Sequence, residues 1–83
     1  MKASQVFNKT APVVDNLYNR WQDEQQYEEW KDYAKVLKKS VQDAGGVFVK
    51  ATSQPFEVFF KSAEGTFKIK VNGSNIKLYS VKE

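Results

Sequence analysis

Apolar residues recur along this chain at two different periods. Up to about residue 43 they return every three or four positions; from Val47 onward they alternate with polar ones. A period near 3.6 lines one face of a helix, and a period of 2 lines one face of a strand. The change of period splits a single domain, 1–83, into a helical half, 1–45, and an antiparallel sheet half, 46–83.

Within the helical half, Val13, Val14, Leu17, Tyr18 and Trp21 fall at helical spacing and predict a helix over about residues 11–22. Thr10 stands where an N-cap would, and Pro12 sits in the first turn, where its missing N–H costs nothing. Residues 3–9, with Val6 and Phe7, are too short a run for their period to be read. A second helix is expected over about residues 24–43. Its apolar face is Tyr27, Trp30, Ala34, Leu37 and Val41, with Asp23 as N-cap and Gln26 in a capping-box position. Acids crowd its start and lysines its end, which complements the helix dipole. Asp43-Ala44-Gly45-Gly46 supplies the stop, since a glycine there is free to take positive φ.

Four short strands follow. Val47, Val49 and Ala51 alternate with Phe48 and Lys50; Phe56, Val58 and Phe60 with Glu57, Phe59 and Lys61; Phe67, Ile69 and Val71 with Lys68 and Lys70; Ile76 and Leu78 with Lys77 and Tyr79. Ser53-Gln54-Pro55, Ala63-Glu64-Gly65 and Asn72-Gly73 punctuate them, the last being the strongest short hairpin signal. Connections this short join antiparallel neighbours. The expected fold class is α+β: two N-terminal helices packed on one face of a four-stranded antiparallel meander, ααββββ.

Composition sharpens this picture. Residues 1–43 carry seven basic and seven acidic side chains, whereas residues 44–83 carry six lysines against Glu57, Glu64 and Glu83, so the whole net charge of +3 lies in the second half. An asymmetry of this kind points to an anionic partner. Alternation places Phe48, Lys50, Glu57, Phe59, Lys61, Lys68, Lys70, Lys77 and Tyr79 on the sheet face opposite the core: five lysines, three aromatics and one acid. Lysines attract a phosphate backbone, and flat rings on a sheet give unpaired bases a stacking surface. The expected site for single-stranded nucleic acid, RNA above DNA, is therefore Phe48, Phe59 and Tyr79 for stacking, with Lys50, Lys61, Lys68, Lys70 and Lys77 for phosphates. The competing reading is an ordinary solvated strand face, or one covered by the N-terminal segment, since lysine and aromatics are also the common outward residues of strands. The single arginine, Arg20, speaks against sequence-specific base readout by arginine.

A second feature is the run of five aromatics at Tyr18, Trp21, Tyr27, Trp30 and Tyr33. Trp21 and Trp30 are expected to anchor helix to sheet, while Tyr27 and Tyr33 could offer a protein partner a patch. That defines the alternative function: a small accessory or phage-type inhibitor or adaptor, bound through these aromatics or a sheet edge. A third reading is a homodimer that hides Phe48, Phe59 and Tyr79. The acids Asp23, Glu24, Glu28, Glu29 and Asp32 read as a solvated helix face, and Glu57 with Lys61 as a structural pair.

The chain has no cysteine and no histidine, so thiol chemistry, disulfides and the commonest general base and metal ligand are missing. No phosphate-binding loop, nucleophile elbow or dinucleotide fingerprint is present. The expectation is a non-enzymatic protein without metal or cofactor. The lack of cysteine, of a leader-like start and of any long apolar run favours a cytoplasmic protein that does not enter a membrane.

Overall fold

The computed structural model describes residues 2–24, 29–73 and 75–81. Two helices, α1 (Ala3–Glu24) and α2 (Trp30–Asp43), precede four strands: β1 (Val47–Ser53), β2 (Phe56–Ser62), β3 (Gly65–Asn72) and β4 (Asn75–Ser80). The strands pair antiparallel in the order β1-β2-β3-β4, and the helices lie against one face, as the pattern predicts.

The first helix is longer than the periodicity over residues 11–22 suggests. Ala3, Val6, Thr10, Val14 and Leu17 are all buried on it, so the apolar stripe starts at Ala3 and passes through Thr10. Thr10 is therefore an interior residue, not an N-cap, and its hydroxyl has no hydrogen-bond partner among the described residues. The start of α1 is capped from outside the helix. Glu64, in the turn between β2 and β3, accepts a hydrogen bond from the Ala3 amide at 2.8 Å. A carboxylate at a helix N-terminus satisfies a free amide and complements the dipole. Pro12 lies inside α1, where a proline removes one backbone bond and costs about 3 kcal/mol. Asn8 and Pro12 are both exposed, so the carbonyl that loses its partner can turn to water.

The second helix is shorter than expected. It begins at Trp30 after Glu29, and Asp23 belongs to α1 rather than capping α2. The capping-box residue Gln26 lies outside the described residues. The predicted stop is correct. Gly45 takes φ 94°. Its amide donates to the Gln42 carbonyl, and that of Gly46 to the Val41 carbonyl, each at 3.0 Å. These two bonds make a Schellman ending. Gly46 also admits a close approach: a Cβ there would stand 3.1 Å from Val41 and 3.2 Å from Val6.

Between the layers sits the core: Val6, Val14, Leu37, Val41, Val58, Phe60 and Ile69 are fully buried. An aromatic cluster closes one end. Trp21, Trp30 and Phe56 meet edge to face, with Trp21–Trp30 and Trp30–Phe56 centroids both 5.2 Å apart. The Trp30 indole N–H donates to the Ala51 carbonyl at 3.3 Å, so Trp30 does anchor helix to sheet. Tyr33 joins this cluster and is 2% exposed; it is a core residue, not part of a surface patch.

One register differs from simple alternation. Phe48 pairs with Phe60, but Lys50 pairs with Phe59, so two residues of β1 face one of β2 and Val49 is extra. This is a β-bulge, and it reverses the facing of everything before it. Phe48 turns inward against the core, while Val47 and Val49, expected to be buried, are 63% and 44% exposed.

Candidate functional site

The helices leave one sheet face open, and the ladder of pairings lays its side chains in rows across the strands. The central row runs Lys50–Phe59–Lys68–Tyr79 through all four strands. On one side of it lies Thr52–Glu57–Lys70–Lys77, and on the other Val47–Lys61–Thr66. Seven of the eight residues expected to form a nucleic-acid surface thus share this face. Phe48 does not, because the bulge sends it to the core.

The central row alternates cations and rings. The Lys50 ammonium lies 4.8 Å from the Phe59 ring centroid, and the Lys68 ammonium lies 5.8 Å from Phe59 and 5.9 Å from Tyr79. Distances under about 6 Å place an ammonium in the field of the ring's negative face. Phe59 is half-buried and Tyr79 exposed, and they stand two strands apart, roughly 9–10 Å.

The one acid of the face is more buried than the lysines around it. Glu57 is only 7% exposed. Its Oε2 lies 2.9 Å from the Lys68 ammonium. That contact is an ion pair rather than an aligned hydrogen bond, and among the described residues the oxygen has no hydrogen-bond partner. The expected Glu57–Lys61 pair is replaced by this cross-strand one. Lys68 therefore touches three groups at once: the carboxylate and both rings.

Two features escaped the sequence pattern. One is the bulge. The other is an uncharged cleft of about 360 Å³ between α1 and the β1–β2 turn, with Tyr18, Trp21, Pro55 and Phe56 among its walls. The Gln54–Pro55 bond in that turn is cis. Of the proposed helical patch, Tyr33 is buried and Tyr27 lies outside the described residues. Among the described residues no cluster of three acidic side chains could hold a metal ion, and no helix is long and apolar enough to cross a membrane. Comparison of the chain with family models, with curated proteins and with solved structures finds no match.

Proposed function

We propose that the open sheet face binds single-stranded nucleic acid, RNA in preference to DNA, and that the protein acts by binding rather than by catalysis. The observation that supports this reading most is the central row. Two rings about two strand spacings apart, with cations before, between and beside them, can stack separate bases while neighbouring lysines meet phosphates. In this reading Phe59 and Tyr79 stack, and Lys50, Lys61, Lys70 and Lys77 hold the backbone. Lys68 lies between the rings, paired with Glu57, and gives way to a base that stacks on them.

Fluorescence anisotropy with labelled single-stranded RNA and DNA oligomers at low and moderate salt tests the proposal. Each phosphate contact contributes about 0.7 to the slope of log affinity against log salt for single strands, so Lys50→Gln, Lys70→Gln, Lys77→Gln together should flatten it by about 2. Replacing Tyr79 with Leu should weaken binding about 5- to 150-fold if one base stacks there. No salt-sensitive binding to any oligomer at low salt would sink the proposal.

A second reading, a protein partner or a second copy at a sheet edge, is favoured by one observation: Val47 and Val49 are exposed on the edge strand β1. Sedimentation across a concentration series separates the two, since self-association through β1 raises the mass without added oligomer.

A further inference from the structure

An acid in the middle of an anion-binding face needs a reason. Glu57 opposes the phosphates that five surrounding lysines would attract, and its burial makes the charge expensive to hold. Among the described residues a single cation, Lys68, meets it at Oε2, and no hydrogen bond reaches the carboxylate. Lone pairs are therefore left over on a side chain more than nine-tenths buried; Oε2 itself is closed to solvent and opens to a ligand only when the Lys68 ammonium moves off it.

Position says what those lone pairs could accept. Glu57 and Phe59 are two residues apart on β2, on the same face, with their Cα atoms about 6.7 Å apart along the strand. A base lying on the Phe59 ring would present its edge toward Glu57. The Lys68 ammonium lies against Glu57 and over both rings, so a base that stacks on Phe59 displaces it and uncovers the carboxylate beside that ring. A carboxylate accepts and never donates, so it favours a base edge that carries N–H groups and repels one that carries carbonyl oxygens. Guanine alone presents two adjacent N–H donors, from its ring nitrogen and its exocyclic amine, in the fork a carboxylate accepts. Uracil presents one N–H flanked by two carbonyls.

We infer that Glu57 makes the open face selective for guanine, the carboxylate accepting the paired N–H donors of a base stacked on Phe59. This rests on the nucleic-acid reading of the same face and adds the choice of base to it. It also supplies the base readout that a chain with a single arginine would otherwise lack.

The test uses the full chain and three labelled heptamers of RNA: seven uridines, the same strand with one central guanosine, and the same with central inosine, which lacks the exocyclic amine. The wild-type protein should bind the guanosine strand about tenfold more tightly than all-uridine, with inosine between. In Glu57→Gln the amide offers one acceptor and one donor, which suits uracil. The guanosine preference should fall to parity or reverse, while affinity for all-uridine holds or rises as a negative charge is lost. Circular dichroism melts establish that the variant is folded; if it is not, the inosine comparison on the wild-type protein decides alone. Equal, salt-sensitive binding of all three strands by the wild type would overturn the inference and leave Glu57 as a structural partner of Lys68. A preference that survives in Glu57→Gln overturns it too. Absence of binding to any strand at low salt removes the underlying reading with it.

Discussion

The two faces of the sheet are built from alternate residues of the same four strands, yet they hide their large side chains in different ways. On the covered face Val58, Phe60 and Ile69 are fully buried because a second layer, the helices, lies on them. On the open face Phe59 is half-buried and Glu57 almost wholly buried with no second layer among the described residues. The shielding there comes from neighbours in the same sheet: Lys50 and Lys68 reach over the rings, and Lys68 pairs with Glu57. Lysine stems can cover apolar surface while their charged ends stay in water. Burial by a layer is fixed by folding, whereas burial under lysine stems can be exchanged for burial by a ligand.

Matched substitutions on the two faces should therefore have unequal effects. The largest effect is expected from Phe60→Ala, which opens a cavity under the helices and should destabilise by about 3–5 kcal/mol in urea unfolding. Its neighbour on the other face, Phe59→Ala, should cost only about 1 kcal/mol. Equal losses would mean that the open face is covered as firmly as the core. Next comes the bulge. Phe48→Ala should cost about 2 kcal/mol and Val49→Ala less than about 0.5 kcal/mol. The reverse order in the same denaturation assay would restore simple alternation and put Phe48 back on the open face. Thr10→Val replaces an unpartnered buried hydroxyl with a methyl group and should raise stability by about 1 kcal/mol, read as a higher urea midpoint at unchanged slope. Smallest of all, Lys50→Ala removes the ammonium nearest Phe59 and should cost about 0.5 kcal/mol in low salt.

Much of the fold was legible because its signals are local. The Asp43–Gly46 stop, the strand breaks at Ser53–Pro55 and Asn72–Gly73, and the period-2 runs each depend on a few adjacent residues. The open-face rows were legible for the same reason from Lys50 onward. The start of α1 was not: Val6 is one apolar residue in a short run, and Thr10 is polar, so the stripe joining Ala3 to Leu17 emerges only when Thr10 is seen to be buried. The end of α1 was misread because Asp23 has the chemistry of a cap but not the place of one.

The class of each half, the order of the elements, the meander and the concentration of lysine on one sheet face are all written in the order of residues along the chain. Each follows from spacing along the chain, and spacing is a property of the chain alone. Which way the first three residues of β1 point depends instead on the folded sheet and helices. Val47, Phe48 and Val49 are all apolar, so either facing satisfies the pattern, and the extra residue is placed by pairing with β2 and packing under the helices. The partner of Glu57 depends on the fold in the same way. Any of several lysines could have answered that charge, and only the cross-strand register brings the Lys68 ammonium to it while the same ammonium lies over both rings.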